Sequence, residues 1–256
     1  MSALGKSGGR SRRLSWLVGT VAAVRDETAT ARTLVLDVPG WPGHLAGQHV
    51  DVRLTAPDGY STERSYSIAS APAGERVEIT VQVVDDGEVS PYLARVLSVG
   101  DPLELRGPVG GYFVWRPSDD QPVQLIAGGS GIVPLMAMAR AHAQAASAAP
   151  VKLLYSVRGP DEAIYADELA ALAAGGLDLR FAYTRRTPPE WPAPAGRVDA
   201  ALLAASTWTP ADEPRVYVCG PTPFVEVVAN LLVDAGHEPA SIRTERFGPS
   251  GGAARS

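Results

Sequence analysis

The chain has 256 residues, of which 45% are hydrophobic, and a formal net charge of −5 at pH 7. This composition excludes fibrous, collagenous and disordered classes, and the length allows two ordinary domains. The net negative charge argues against a broad nucleic-acid-binding surface. The single cysteine excludes an intrachain disulfide and any cluster held by four cysteines of this chain.

The first residues of the chain are small, polar and basic, and 1–13 is predicted to be a disordered leader. Arg12 and Arg13 resemble a twin-arginine export signal, and a targeting role for them stays open. We favour a β-strand for the apolar stretch 16–24, because 32–38 continues in the same β-branched style. No apolar run reaches the roughly 18 residues of a membrane span, and we predict a cytoplasmic protein.

Residues 14–116 have the pattern of an antiparallel barrel. Short runs rich in Val, Ile, Leu and Tyr are separated by Pro and Gly near 39–43, 57–59, 72–74 and 100–102. Strands at this spacing predict a six-stranded β-barrel domain. Turn formers and charges at 117–122 predict a linker after it.

Residues 123–248 alternate between strand and helix patterns. The predicted strands are 123–127, 151–156, 178–184, 214–218 and 241–245. The predicted helices lie near 132–146, 165–174, 199–205 and 223–234. This alternation implies an α/β domain with a doubly wound parallel sheet. The small residues of 249–256 predict a flexible tail.

A glycine-rich turn, Gly128-Gly129-Ser130-Gly131-Ile132, follows the first strand of this second domain. Glycines let the backbone approach a phosphate, and the start of a helix points free N–H groups at it. The G-x-G-x-x-G spacing is incomplete, so a phosphate site and a simple packing turn both remain open on these residues alone.

A second turn, Cys219-Gly220-Pro221, follows the fourth strand of the domain. Ligands of open parallel sheets bind at the carboxyl ends of the strands, so this turn is predicted to border the crevice. A lone cysteine that only fills space is the alternative explanation for Cys219.

The barrel half contains two further candidate motifs. Arg64, Tyr66 and Ser67 lie on one predicted strand and offer a guanidinium for phosphate, a ring for stacking and a hydroxyl. An exposed edge strand is the alternative. Further along, 87–90 precedes a predicted helix at 91–97, for which Ser90 is the predicted hydroxyl cap.

In this order the motifs resemble the ferredoxin-NADP reductase superfamily, and within it the reductase components of oxygenase systems. The resemblance covers residues 15–248 and implies a FAD-binding barrel followed by a nicotinamide-nucleotide-binding α/β domain. It rests on Arg64-x-Tyr66-Ser67, Gly87-x-x-Ser90 with Tyr92-Leu93, Gly107-Pro108-x-Gly110, Gly128-Gly129-x-Gly131-Ile132, Cys219-Gly220-Pro221 and Glu245-x-Phe247.

The resemblance assigns FAD to the first domain. It implies that Arg64 pairs with the pyrophosphate, that Tyr66 stacks on the isoalloxazine and that Ser67 hydrogen-bonds near flavin N5. Phe247 is the candidate to cover the ring, although the chain continues past it. The other residues implied to bind FAD are Val81, Gly87, Glu88, Val89 and Ser90.

The resemblance assigns NAD(P)H to the second domain. The implied cradle of the nucleotide comprises Gly129, Ser130, Gly131 and Ile132, while Cys219, Gly220 and Pro221 border the approach of the nicotinamide. Ser67, Cys219 and Glu245 are the implied catalytic residues, with Glu245 as a proton relay or carboxamide ligand. A surface carboxylate balancing Arg243 and Arg246 is the alternative for Glu245.

The preferred nucleotide is inferred from charge. Ser156 and Arg158 end the second strand of the α/β domain and Arg185 follows the third, and a hydroxyl with guanidinium groups suits a 2′-phosphate. We therefore predict NADPH as the co-substrate, with NADH as the alternative. A solvated basic face is the other explanation of these arginines.

The acceptor is inferred from the cysteine count. A fused ferredoxin module needs four cluster cysteines, so the predicted partner is a separate electron-acceptor protein, either a ferredoxin or another redox enzyme. Two alternatives stay open: a reductase of free flavin or quinone, and a non-catalytic flavin- or nucleotide-sensing subunit. The four histidines show no metal-ligand spacing, and no metal site is predicted.

Overall fold

The fold comprises two sheets, and the computed structural model describes residues 14–248. The predicted leader at 1–13, with Arg12 and Arg13, and the predicted tail at 249–256 lie outside the described residues. Within 14–248, no helix is long and apolar enough to cross a lipid bilayer.

The first sheet is six-stranded and antiparallel, with the strand order β4-β3-β6-β1-β2-β5. A bridge between Ile68 and Ile79 joins its two edges, which confirms the predicted barrel. A short helix, α1 (Ser90–Arg95), follows the fifth strand. The strands are β1 (Trp16–Thr28), β2 (Ala31–Asp37), β3 (His49–Thr55), β4 (Ser61–Ser67), β5 (Arg76–Gln82) and β6 (Pro102–Val109).

The interior of the barrel is filled by the inward-facing residues of its strands. Leu34, Leu36, Val50, Val52 and Ile79 are all fully buried there. β-branched and leucine side chains at every second position fit the pleated, half-buried surface of a strand. This apolar alternation is the pattern that predicted the barrel.

The second sheet is parallel, with the strand order β11-β10-β7-β8-β9, and it confirms the predicted α/β architecture. The segment 117–122 lies between the two sheets and contains neither helix nor strand, while the division into domains there stays a prediction. The elements are β7 (Val123–Gly128), α2 (Ile132–Gln144), β8 (Val151–Val157), α3 (Ala166–Ala174), β9 (Asp178–Tyr183), α4 (Ala200–Ser206), β10 (Arg215–Pro221), α5 (Thr222–Asp234) and β11 (Ile242–Phe247).

The strand order reverses at β7. The next strand in the chain, β8, pairs with one side of β7, whereas β10 pairs with its other side. Loops leaving the carboxyl ends of β7 and β10 therefore diverge to opposite faces of the sheet and leave a crevice between them. The glycine turns predicted to bind the nucleotide are the loops at this position.

Helix α2 packs between the two sheets. Nine of its residues, among them Met136 and Met138, are buried, so the helix has almost no solvent-exposed face. The barrel approaches it through Gly47, where a Cβ atom would lie 2.7 Å from Met138 Cε and 2.0 Å from the Phe113 carbonyl oxygen. Gly47 also has a φ of +98°, so only glycine fits this contact.

The predicted helix cap at Ser90 is wrong. Val89 occupies the cap position of α1 and provides no side-chain cap, while Ser90 is the first residue of the helix. The Ser90 hydroxyl instead accepts a hydrogen bond from the Val84 N–H at 3.0 Å. The chain turns back between β5 and α1 and brings the Val84 N–H, which lies outside the helix, to the Ser90 hydroxyl. The hydroxyl is therefore not available to cap α1.

Candidate active site

A cleft of about 220 Å³ lies at the carboxyl ends of β7, β8 and β10. It occupies the crevice at which the strand order reverses, as expected for a ligand site of an open parallel sheet. Residues of both sheets line it. The sequence-predicted site residues on its wall are Gly129, Ser130, Ser156, Arg158, Pro221 and Phe247.

The turn after β7 brings the backbone to the cleft without intervening side chains. Gly129 has a φ of +54°, and 129–131 forms a single 3₁₀ turn that leads directly into α2. A Cβ atom at Gly131 would lie 2.1 Å from the Cys219 carbonyl oxygen, so the two glycine turns touch. No side chain caps the start of α2, and its positive end is available to an anion.

An aromatic ring that the sequence analysis missed lies on the wall of the cleft. Phe224, on the first turn of α5, covers the Cα atoms of two glycines. A Cβ atom at Gly128 or at Gly220 would lie 2.7 Å from the Phe224 ring. The glycines thus make room for the ring as well as for a ligand.

The remaining predicted nucleotide-site residues lie behind this wall. Ile132 and Cys219 have 0% and 1% exposure, and Gly131 and Gly220 are also buried. Burial, together with the charge of Glu245, raises the pKa of the Cys219 thiol well above its usual value. The thiol is therefore neutral near pH 7, and nucleophilic thiolate chemistry is excluded at this position.

Glu245 lies on β11 directly beside Cys219 of β10. Burial raises the pKa of Glu245 to about 7, and its Oε2 is buried with no hydrogen-bond partner among the described residues. The surface-carboxylate explanation is wrong, because Arg246 pairs with Glu226 at 2.7 Å and Arg243 donates to the Val114 carbonyl at 2.8 Å. An unpaired buried carboxylate oxygen is typical of a functional position.

Strand β4 displays its candidate residues at the edge of the barrel. Arg64 and Tyr66 lie opposite the core residues Val52 and Val50, so both are on the inward face. Burial raises the pKa of Tyr66 to about 12, so its hydroxyl stays neutral. Arg64 is exposed, and no described carboxylate lies within ion-pair distance of it. Ser67 is half-buried at the end of the strand.

The loop at 87–90, which the resemblance implies to bind FAD, lies between β5 and α1. The hydroxyl of Tyr60, on the β3–β4 turn, donates to Glu88 at 3.2 Å, which connects this loop to the start of β4. Val81 and Val89 have 0% and 1% exposure and pack in the barrel core. Any contact of these two valines with a ligand is therefore made by their backbone atoms.

The end of the cleft at β8 carries mixed charge. Ser156 is 6% exposed, and Nη1 of Arg158 lies 3.7 Å from Oε2 of Glu162. Arg185 is exposed and lies outside the cleft wall, whereas the neighbouring Arg186 pairs with Asp161 at 2.6 Å. The predicted cationic cluster is thus partly neutralised by acids of its own loop.

Four further residues of the cleft wall were not predicted, and one of them, Val157, ends β8. Glu162 and Thr184 follow β8 and β9, where a search of the strand ends would have found them. Gln82 ends β5 and belongs to the barrel, so no local pattern connects it with the α/β half. Its position depends on the packing of the two sheets against α2.

Glu245→Gln is expected to remove a pH dependence of stability from the FAD-free protein. The folded-state pKa of about 7 lies above the ordinary value of 4.5, so the contribution of protonated Glu245 is fully present below about pH 4.5 and is lost as the pH rises through 7. Relative to the variant, the wild type should lose up to about 1.4 kcal/mol of unfolding free energy per pH unit in this window, measured by urea denaturation.

Glu226→Gln is the matched control for this experiment. It removes an exposed carboxylate whose partner is Arg246. The pH dependence of the difference between this variant and the wild type is the reference against which that of Glu245→Gln is compared. A constant difference between the wild type and Glu245→Gln would contradict the assignment of a raised pKa to Glu245.

Comparison with known proteins identifies both halves of the chain. The Oxidoreductase FAD-binding domain family matches residues 21–114, and the Oxidoreductase NAD-binding domain family matches residues 125–230. Ferredoxin–NADP reductase B of Sorangium cellulosum is 38% identical over 194 residues, which are 73% of this chain and 78% of that protein. The toluate 1,2-dioxygenase electron transfer component of Pseudomonas putida is 28% identical over 80% of this chain, which spans only 59% of that protein.

A solved structure agrees with these matches. The ferredoxin NADP+ reductase from Neisseria gonorrhoeae, described with bound FAD and NADP, aligns with a TM-score of 0.76 and 25% identity over 90% of this chain and 98% of that one. The relative at 38% identity and the two matched domains establish the family and the cofactors. The chain belongs to the ferredoxin-NADP reductase family and is an NAD(P)H-dependent flavoprotein oxidoreductase that uses FAD.

Proposed function

We propose that this oxidoreductase passes electrons from NADPH through FAD to a separate redox protein, a ferredoxin or another redox enzyme. The observation that carries this proposal is the shared cleft, which is lined by Gln82 of the barrel and by Gly129 and Ser130 of the α/β half. A cleft bordered by both halves is what direct transfer between a nucleotide and a flavin requires, since the reacting atoms must approach to about 3–3.5 Å.

The residues at the site fit FAD and a nicotinamide nucleotide. The Arg64 guanidinium has no ion-pair partner among the described residues, and a phosphate would supply one. The Tyr66 ring is half-buried at the edge of the barrel, where a flavin could stack on its open side. The glycine turn at 129–131 presents backbone to the cleft, and Glu245 has a free buried oxygen suited to an amide donor.

Bound FAD supplies the redox chemistry, accepting a hydride from the nicotinamide and releasing electrons to the acceptor. The protein orients the reactants. Ser67 would donate a hydrogen bond near the reacting flavin nitrogen, and Tyr66 would stack on the flavin ring. Glu245, whose pKa of about 7 allows either protonation state, holds a proton or the carboxamide beside the nicotinamide. Phe247, which is exposed at the end of β11 on the cleft wall, would cover the flavin.

Two observations support a separate acceptor. Cys219 is the single cysteine of the 256 residues and is fully buried, so this chain supplies no thiolate ligands for an iron–sulfur cluster. The name of the relative from Sorangium cellulosum, at 38% identity, supports ferredoxin as the acceptor class to test first.

The acceptor is expected to be a protein. Purified FAD-loaded enzyme with NADPH should reduce an added ferredoxin in the steady state at a rate well above that with riboflavin or a quinone, because a protein can bind beside the flavin. Absorbance of each acceptor measures this. If the enzyme turns over with riboflavin but with none of the candidate redox proteins, the small-acceptor alternative is correct. If NADPH leaves the flavin oxidised under anaerobic conditions, the protein is a non-catalytic subunit.

Ser67→Ala is expected to slow flavin reduction by NADPH about 10- to 100-fold while leaving FAD bound. The hydroxyl is proposed to contribute a hydrogen bond in the reacting complex, and such contacts are worth on the order of 1–3 kcal/mol. Anaerobic stopped-flow absorbance gives the rate, and ultrafiltration gives the retained FAD. Ser65→Ala, whose hydroxyl donates outward to Asp51 at 2.7 Å, is the matched control. Equal rates in both variants would remove Ser67 from the site.

Two variants should shift the choice between NADPH and NADH in opposite directions. Arg158→Gln removes a cation from the cleft and should lower the preference for NADPH by about tenfold or less, since exposed charges are screened. Glu162→Gln removes the carboxylate 3.7 Å from Arg158 and should raise that preference. The ratio of kcat/KM for the two nucleotides measures both effects. Shifts in the same direction would contradict a 2′-phosphate site at Arg158.

A further inference from the structure

One buried arginine of α2 bridges the two halves of the molecule. Nε and Nη2 of Arg140 donate to the Glu168 carboxylate at 2.8 and 2.6 Å, which is a bidentate pair at the start of α3. Its Nη1 donates to the Ala69 carbonyl at 2.8 Å and to Oε2 of Glu78 at 3.1 Å. Only 11% of the side chain is exposed. The bridge therefore comprises four hydrogen bonds, of which those to Ala69 and Glu78 are largely screened from water, whereas the Glu168 side chain is 41% exposed.

The barrel partners of Arg140 are Ala69 and Glu78, which lie on the two sides of the barrel seam, the line along which the barrel closes. The barrel closes where the segment after β4 meets β5, through the bridge between Ile68 and Ile79. The Ala69 N–H donates to the Glu78 carbonyl at 2.7 Å across this seam. Arg140 binds one atom from each side, so it holds the two edges together from the side of the α/β half.

The same helix connects this seam with the nucleotide turn. Helix α2 begins at the glycine turn 129–131, and Arg140 lies nine residues further on, about 13 Å along the axis at 1.5 Å per residue. Its acceptor Ala69 is two residues beyond Ser67, the last residue of β4. One rigid element thus contacts the nucleotide-binding backbone at its start and the continuation of the flavin-binding strand near its end.

A second hydrogen-bond chain crosses the same interface. The hydroxyl of Tyr165, which is 3% exposed, bonds to the Thr80 hydroxyl in the barrel. Thr80 bonds to Thr33 at 2.7 Å, and Thr33 donates to Glu27 at 2.6 Å. Tyr165 has a φ of +61°, a conformation that is unfavourable for a tyrosine and is retained here by the surrounding packing.

The charges of the bridge are balanced. Burial lowers the pKa of Arg140, but the hydrogen bonds and charges of Glu168 and Glu78 outweigh it and raise the pKa overall, so the guanidinium stays ionised. Arg25 also pairs with Glu78, at 2.8 Å. Two guanidinium groups therefore meet two carboxylates, and removal of either carboxylate leaves Arg140, whose side chain is 11% exposed, with one ion-pair partner fewer, which is costly.

We propose that Arg140 is a positioning residue for flavin reduction, fixing the barrel seam, and with it Tyr66 and Ser67, relative to the nucleotide turn. This inference rests on the proposed function for the role of β4. Arg140 itself touches neither the cleft wall nor the candidate flavin residues. Its effect is on geometry, and a misplacement of about 1 Å can slow a reaction between bound partners about 100-fold.

The test compares Arg140→Gln with a matched control. Arg53 forms a bidentate pair with Glu104 at 2.8 and 2.9 Å. It lies 4.2 Å from the Trp16 ring, just as Arg140 lies 5.0 Å from the Tyr165 ring. Unlike those of Arg140, however, all partners of Arg53 belong to the barrel sheet. Arg53→Gln therefore removes the same type of interaction without breaking the bridge between the halves.

Two readouts separate positioning from stability. In the FAD-free protein, amide hydrogen exchange of residues 68–71 should be at least about tenfold faster in Arg140→Gln than in the wild type or in Arg53→Gln. In the FAD-loaded protein, the limiting rate of flavin reduction by NADPH should fall about 10- to 100-fold, while the Kd for NADPH changes less than about twofold. Reduction by dithionite should stay at the wild-type rate.

Arg140→Lys tests the geometry of the guanidinium. A lysine keeps the charge but lacks the planar guanidinium that binds Glu168 and Ala69 together. Flavin reduction should therefore be as slow in this variant as in Arg140→Gln. If Arg140→Gln fails to fold, Arg140→Lys alone decides whether the inference holds. A wild-type rate in Arg140→Lys, or a loss confined to nucleotide or FAD affinity, would overturn the inference. A wild-type protein that NADPH and NADH both fail to reduce would instead refute the proposed function, and the exchange of 68–71 would still decide whether Arg140 holds the seam.

Discussion

The packing of α2 between the two sheets is the constraint on which the rest of the structure depends. A helix of 13 residues with nine buried has no spare face, so its position is fixed by the parallel sheet on one side and by the barrel on the other. Gly47 allows the close approach on the barrel side, where any side chain would collide with Met138. Movement of α2 would therefore disturb both sheets at once.

This constraint explains where the chemistry lies. The start of α2 borders the crevice at which the strand order reverses, and the barrel reaches the same crevice through the end of β5. Electrostatics then distinguish Cys219 and Glu245, which pair on β10 and β11 outside the cleft wall. Burial leaves the thiol of Cys219 neutral and inert, whereas it gives the neighbouring Glu245 a pKa of about 7, within the range of proton exchange at physiological pH. Of these two adjacent side chains, Glu245 can therefore exchange a proton near pH 7, whereas the Cys219 thiol keeps its proton.

Local patterns in the sequence predicted the features that depend on residues close together in the chain. The apolar alternation of β2 indicated the barrel, and the glycine turn after β7 indicated one side of the cleft wall, because strand period and turn conformation depend on nearby residues. Gln82 and the packing role of Gly47 were missed, because both depend on contacts between distant parts of the chain. Ser90 was wrongly predicted as a cap, because the competing donor, Val84, becomes available only once the chain has folded back.

Arg140 shows why an apolar interface alone is insufficient at this position. Contacts such as that between Gly47 and Met138 resist separation of the two halves, but apolar packing is non-directional and several registers can bury similar areas. A planar guanidinium that must meet the Glu168 carboxylate and the Ala69 carbonyl together accepts one register only. The cost of desolvating such an ionic group offsets most of the energy gained from its ion pairs, so Arg140 adds little net stability. We therefore attribute its presence beside the barrel seam to the specificity of position that it provides.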